Sequence, residues 1–406
     1  MVLQLFRKSQ MWKTHKLKDS YDVVIVGAGV HGLSTAYYLG KLGVQNIAVL
    51  EKSYIGGGGS ARSTAIIRSN YLTTEGIPFF RESHKLYEKL AQELEYNLLF
   101  NQMGRLDIGH TESAVYWLQL RAEFNQLLGV DSRVIGPEEI KELVPPIDLR
   151  QDKPLPIQAA LYHPPAGVVR HDAVVWGYAR GADRLGAEIH PFTEVTGITR
   201  ENGRVTGVDT SAGHVRANTV VSATAGWSST ISAMVGLDLP INTFPLQACV
   251  TEAVKPYIHT TISSADLHVY VYQTDRGELV IGGAVDPYST YSQRSTLNML
   301  EELAVNTLEL LPELRNVKIM RQWTGLCDMT PDYAPIISRV DGIDGFILNC
   351  GWGTWGFKAA PISGKCTAEM IATGKTPSLI KAFGLDRFDN GRLINERAAA
   401  IAAAIH

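Results

Sequence analysis

Tyr21-Asp22-Val23-Val24-Ile25-Val26-Gly27-Ala28-Gly29-Val30-His31-Gly32 is the stretch that decides the architecture. The apolar, largely β-branched run ending at Val26 suits a strand covered on both faces of a parallel sheet. Leu33-Ser34-Thr35-Ala36-Tyr37-Tyr38-Leu39 continues with apolar residues at helical spacing and ends near Gly40 and Gly43. A second strand, Ile47-Ala48-Val49-Leu50, finishes at Glu51. In such a unit Gly27 permits the tight turn, Gly29 lets backbone approach a pyrophosphate, and Gly32 lets the helix pack on the strand. The helix N-terminus at Val30 and His31 faces the phosphates. Glu51, 24 residues after Gly27, stands where an acid accepts ribose hydroxyls. A lone Gly-x-Gly-x-x-Gly is weak, but strand, motif, helix, strand and acid in this order predict an adenine dinucleotide site.

The segment after Glu51 selects the flavin dinucleotide over the nicotinamide one. Four consecutive glycines, Gly56 to Gly59, precede Ser60-Ala61-Arg62-Ser63-Thr64 and an ordered-looking Ala65-Ile66-Ile67-Arg68. Ordering four glycines is entropically expensive, which points to backbone pressed against a ligand, a second cradle that a NAD enzyme does not need. Lys52, Gly59, Arg62, Thr64 and Ile66 are candidate FAD contacts here, as is Val195 further on.

Further along, residues 181–189 read as a helix end and a strand, and 193–208 as a hairpin turning at Asn202-Gly203. Asn218 to Ser222 is a strand entering the small residues Ala223-Thr224-Ala225-Gly226. Residues 266–283 alternate around Asp275-Arg276-Gly277, an antiparallel hairpin. The expected fold is α/β, an FAD-binding Rossmann-like domain with an interleaved α+β substrate domain built on an antiparallel sheet. The expected division is 20–95, 155–232 and 335–395 for the FAD domain, 96–154 and 233–334 for the substrate domain, and 1–19 as an arm, mobile or partner-contacting. Near the far end, Cys350-Gly351-Trp352-Gly353-Thr354-Trp355-Gly356-Phe357-Lys358 comes after a strand and precedes a helix expected near Ile362. Such a turn sets backbone N–H groups against a planar, electron-rich ring and leaves Lys358 partly desolvated as a cation or donor.

Composition narrows the class. The chain has 406 residues, with 38 Lys+Arg against 41 Asp+Glu for a net charge of −3. That balance argues against nucleic-acid binding through phosphate neutralisation. Apolar content of 45% with 37 glycines fits a loop-rich globular enzyme. Cys249, Cys327, Cys350 and Cys366 form no CxxC pair, so neither a disulfide framework nor a metal site is expected, and a cytoplasmic location is. The longest apolar run, Ala398 to Ile405, has eight residues where a span needs about twenty, and no membrane association is expected. The basic leader lacks an apolar h-region, so a secretory signal is not expected.

These segments together resemble the FAD-dependent amine oxidoreductases related to D-amino acid oxidase, and within them the beta subunits of heterotetrameric sarcosine oxidases, over about Tyr21 to Phe383. The narrower matches are Ala65 to Tyr71, Val169-Arg170-His171-Asp172, Gly325 to Asp332 and Cys350 to Lys358. The resemblance implies non-covalent FAD, with Gly353 and Gly356 against the flavin, and Arg68 and Lys358 as the catalytic pair that binds the substrate carboxylate. It implies covalent FMN on His171, with Arg170, His268 and Arg321 nearby. It also implies a small N-methyl amino acid substrate, sarcosine first, and alpha, gamma and delta partner subunits. Electrons pass to oxygen, and the one-carbon unit to tetrahydrofolate on another subunit. Related monomeric enzymes tether FAD to a cysteine; an ungapped alignment puts Gly325 there, with Cys327 two residues away. Trp355 replaces a commoner glycine, and Pro164-Pro165-Ala166 a glycine-rich approach to Gly167. The alternatives are a dye-linked proline or opine dehydrogenase subunit and a non-catalytic flavin-binding subunit.

Overall fold

The structure, a computed structural model, describes residues 11–397. The strand Ser20–Val26 lies between Ile47–Leu50 and Gly213–Ser222, parallel to both, with Glu188–His190 outside one neighbour and Ile343–Cys350 outside the other. Burial on both faces explains the unbroken apolar run. Val23 and Ile25 point into a layer of three helices, Val30–Lys41, His171–Arg184 and Gly356–Thr373, while Val24 and Val26 point to the opposite face. On that second face Val24 and Val26 cluster with Val195 and Ile198 of Val195–Glu201 and with Val205 and Val208 of Arg204–Thr210, two strands of an antiparallel meander whose third, Gly213–Ser222, runs into the sheet itself. Its first turn is the Asn202-Gly203 pair at φ +50° and +80°, the left-handed geometry that favours these two residues.

The second sheet has eight strands in the order 319–329, 242–253, 278–285, 269–273, 261–264, 105–109, 159–163 and 133–135. Every pairing is antiparallel except that of Thr261–Ser264 with Arg105–Gly109. The expected boundary at 155 needs correction: Ala159–His163 pairs with Arg105–Gly109 and so belongs to the second sheet. The hairpin around Asp275-Arg276-Gly277 joins Val269–Gln273 to Glu278–Val285. A small pair, Ile66–Ile67 with Gly167–Val168, stands apart from both sheets, and Ile66 packs on the second sheet against Tyr270, Tyr272 and Val280.

The arm also needs correction over its described part. The Lys13 amide donates to Asp183 Oδ1 at 3.1 Å, His15 Nε2 meets the same oxygen at 3.1 Å, and Lys18 Nζ pairs with Glu188 at 2.7 Å. Trp12 and Leu17 pack against the two faces of the dinucleotide unit. Residues 11–19 are therefore docked on the chain's own first domain by charge and apolar contact. The expectations for residues 1–10 and for the tail 398–405 lie outside the described residues. Among the described residues no helix is long and apolar enough to cross a membrane.

The helix expected near Ile362 begins at Gly356, with Pro361 inside it. A proline has no N–H to offer the carbonyl four residues back. That carbonyl, of Phe357, is satisfied instead by the Tyr87 hydroxyl at 2.6 Å. Ser83 Oγ donates to the next one, Lys358 O, at 2.7 Å, so the helix Gly76–Leu94 secures the first turn of the later helix.

Candidate active site

One cavity of about 630 Å³ borders both the first glycine loop and the glycine-tryptophan turn. At the loop end Gly27 has φ +105°, and a Cβ there would come within 2.5 Å of Ala223 O. A Cβ on Gly32 would lie 2.0 Å from Gly27 O, so Gly32 serves the packing of helix on strand and does not itself border the cavity. The helix beginning at Val30 has no side-chain cap at Gly29, which leaves first-turn amides for a ligand. The Val30 amide is the exception, donating to Ser60 Oγ at 2.9 Å. Glu51 is held by three donors: the Ala28 amide at 3.0 Å, the Ser53 amide at 2.9 Å and the Ser53 hydroxyl at 3.0 Å. The second glycine stretch is a turn, and Arg62 folds back to donate to the carbonyls of Gly57 and Gly58. Lys52 Nζ sits 3.5 Å over the Trp227 ring. Gly59, Thr64, Ile66 and Val195 all line the same cavity.

At the other end Gly351 and Gly353 have φ +71° and +51°. Asp328 secures this turn: its Oδ2 accepts the Gly351 amide at 2.6 Å and its carbonyl accepts the Gly353 amide at 3.0 Å. Trp352 stacks on His31 at 4.2 Å and donates to Asn349 Oδ1 at 3.0 Å. The His31 ring is further fixed by Ser363 at 2.6 Å, and burial pushes its pKa down to about 3, so it is neutral. Trp355 is buried, stacks on Tyr71 and Phe80, and lines the cavity. Gly325 and Cys327 both border the cavity. A Cβ on Gly325 would lie 3.3 Å from Arg62 Cβ, and burial raises the Cys327 thiol far above the ordinary thiol range, away from the nucleophilic thiolate. A glycine-rich loop with an uncapped helix start and Glu51 at one end of the cavity, and the Gly353–Lys358 turn at the other, fit an extended flavin dinucleotide.

Burial pushes the Asp328 carboxyl up to about 6 against the backbone donors that pull it down. Its folded value lies above the unfolded one, so the protonated form favours folding, and that stability is lost as pH rises from about 4 through 6. Asp328→Asn is expected to stabilise the apoprotein at pH 7.5 by on the order of 3 kcal/mol and to have little effect at pH 4. Urea unfolding at the two pH values checks this; equal effects at both would remove the titration account.

Lys358 lies in the first turn of its helix and is buried. Burial first, then Arg68 and Arg105, hold its amine well below the ordinary lysine range. Arg68 Nη1 donates to Asn70 O and Asn70 Oδ1, both at 3.0 Å, and its guanidinium lies 4.4 Å from the Tyr71 ring centroid. The cavity joins these two predicted residues to Arg105, Asp107 and Arg121, which sequence reasoning missed. Asp107 binds both arginines and is held far below the usual carboxylate range by them, against its own burial. Arg105 and Asp107, two apart in one strand, share a face; Arg121 comes from the helix Glu112–Leu127, and only folding unites them.

His171, Arg170, His268 and Arg321 do not border this cavity. His171 opens its helix with its pKa lowered chiefly by burial, a neutral imidazole, and Arg170 beside it pairs with Asp172 at 2.9 Å. Arg321 lies opposite Val250, which faces Val280 and then Tyr272 across three strands. His268 lies before the other end of the Tyr272 strand, so register puts it and Arg321 on different rows.

Comparison with known proteins adds to this geometry. A family model described as FAD dependent oxidoreductase matches residues 22–370. Sarcosine oxidase subunit beta of Rhodobacter capsulatus is 43% identical over 390 residues, covering 96% of this chain and 94% of that one. The protein of the same name from Rhizobium meliloti is 44% identical over 396 residues, covering 97% and 95%. Among solved structures, L-proline dehydrogenase from P. horikoshii superposes with a TM-score of 0.87 at 29% identity, covering 93% of this chain and all of that one.

Proposed function

This chain belongs to the FAD dependent oxidoreductase family and, within it, to the group of the sarcosine oxidase beta subunits, and on that premise we propose that it oxidises sarcosine or a similar N-methyl amino acid. The observation that carries the reading is the single cavity bordered both by the Gly27–Val30 loop and by Lys358 and Arg68. Bound FAD supplies a two-electron acceptor for the C–H bond next to nitrogen. The residues of this chain do the rest. Arg68 offers a planar fork and Lys358 a point charge to the substrate carboxylate. Fixing the carboxylate orients the reacting carbon over the Gly353–Lys358 turn, and orientation supplies much of the rate. The cationic wall favours a neutral substrate amine, the form whose lone pair assists C–H cleavage.

The reading extends to covalent FMN on His171, supported by that residue's neutral imidazole and adjacent Arg170. It further includes oxygen as terminal acceptor with hydrogen peroxide as product, partner subunits alpha, gamma and delta, and tetrahydrofolate on one of them as acceptor of the one-carbon unit. Anaerobic sarcosine is expected to bleach the flavin absorbance of the purified complex, with peroxide forming on re-aeration. An unchanged spectrum would sink the catalytic reading and leave a flavin-binding scaffold. Bleaching by proline, with dye reduction and no peroxide, would replace it with a dehydrogenase. Acid precipitation and in-gel fluorescence test His171: fluorescence lost in His171→Ala supports the tether, and a wild-type chain retaining no flavin overturns it.

A further inference from the structure

We propose that the substrate end of the cavity is built for an amine carrying two carboxylates, the second received by Arg105 and Arg121. This rests on the amine-oxidase reading and names the substrate class of that site. Both arginines border the cavity, and their exposures are only 4% and 8%. Each is clamped from behind. Asp107 Oδ1 accepts Arg105 Nε at 2.8 Å and Nη2 at 2.7 Å, and Asp107 Oδ2 accepts Arg121 Nη2 at 2.9 Å. Arg121 Nε donates to Asn70 O at 2.8 Å, and Asn70 Nδ2 donates to Asp107 Oδ2 at 3.0 Å. These bonds use Nε and Nη2 of both guanidiniums; among the described residues neither Nη1 has a partner. Two N–H-bearing groups, already oriented and facing a cavity, form a receptor whose ordering has been done in advance.

Charge points the same way. Arg105 and Arg121 line this end, and among the described residues Asp107 is the acid that pairs with both. Glu396, which interacts with Arg121 at longer range, does not border the cavity and accepts from the amides of Leu72 and Thr73 at 3.0 and 2.9 Å and from the Thr73 hydroxyl at 2.6 Å. Buried cations in excess are unfavourable unless an anion joins them. A substrate with one carboxylate, held by Arg68 and Lys358, leaves part of that excess in place; a second carboxylate against Arg105 and Arg121 offsets it. The substrate class is therefore an N-alkyl amino acid with a further acid group on its side chain or on its N-substituent.

The test uses the purified flavin-loaded complex. Anaerobic flavin reduction is followed with sarcosine, N-methyl-L-aspartate, N-methyl-L-glutamate and iminodiacetate, and binding of the unreactive acids succinate and acetate by perturbation of the flavin spectrum. The expected result is at least a tenfold advantage in kcat/KM for one of the diacids over sarcosine, with succinate binding at least tenfold tighter than acetate. Arg105→Met and Arg121→Met are expected to cut the diacid-to-sarcosine ratio by tenfold or more; should they fail to fold, the comparisons on unsubstituted protein still decide. Sarcosine outperforming every diacid, with succinate no tighter than acetate, overturns this inference alone. No reduction by any amine overturns the amine-oxidase reading and this inference with it.

Discussion

Lys358→Ala is expected to keep its flavin and to lose roughly a thousandfold in kcat/KM for its amine substrate, about 4 kcal/mol of transition-state stabilisation. The flavin stays because the turn is secured by Asp328, by Trp352 on His31 and by Tyr87 on the Phe357 carbonyl, none of which involves the lysine side chain. The turnover goes because Nζ is the cation that the helix start presents to the cavity beside Arg68. The pH dependence gives a second handle. Lysine is charged below its pKa, and this pKa is depressed, so the cation is lost as pH rises at values where an ordinary lysine would keep it. In the wild type KM is therefore expected to climb on the alkaline side earlier than an unperturbed lysine would allow. Lys358→Arg, whose guanidinium stays protonated, is expected to flatten that limb even if the longer side chain raises KM throughout. Steady-state kinetics from pH 6 to 10 check both variants; unaltered kcat/KM in Lys358→Ala removes the residue from the site.

The largest expected effect on stability belongs to a pair away from the chemistry. Asp332 and Arg387 are 0% and 2% exposed and joined by two bonds, Nε to Oδ2 at 2.8 Å and Nη2 to Oδ1 at 3.0 Å. Arg387 also donates to the carbonyls of Ala334 and Gly384, and Asp332 accepts the amides of Ala334 and Ile394. The pair ties the loop before the edge strand Ile336–Val340 to the segment 384–394. Arg387→Met leaves a buried carboxylate uncompensated and is expected to destabilise the protein by about 3–5 kcal/mol. Arg387 holds the Asp332 carboxyl below the usual range against its burial, so the pair's contribution is present at neutral pH and lost as pH falls through that depressed value. Adding Asp332→Asn to Arg387→Met is expected to recover part of the loss, because a neutral amide is less unfavourable to bury. Denaturant titration of the two variants measures this, and a loss under 1 kcal/mol in the single variant would show the cluster to be dispensable.

How legible was all this in the chain? The dinucleotide unit was, because each rule acts on neighbours: strand, tight turn, helix and acid succeed one another within Tyr21 to Glu51. The Asn202-Gly203 turn was legible for the same reason. Lys358 stands out in the sequence through its glycine and tryptophan neighbours, but the start of its helix does not, since Pro361 reads as a break and the hydroxyl that offsets it comes from Tyr87. The docking of segment 11–19 leaves no local signal, because a run of lysines has the pattern of a solvated arm and its partners Asp183 and Glu188 lie far along the chain. Arg105, Asp107 and Arg121 left no local trace; a strand and a helix bring them together, and charged residues at those spacings usually mark a solvated surface.

The proline inside the last long helix has a consequence for anyone wishing to transplant the lysine-bearing turn. Residues 350–361 look like a self-contained cassette, yet the carbonyls at its helical start rely on Tyr87 and Ser83, hydroxyl donors about 270 positions earlier. Moved into another scaffold without a companion helix offering those two hydroxyls, the cassette would carry its lysine but lose the registration that aims it.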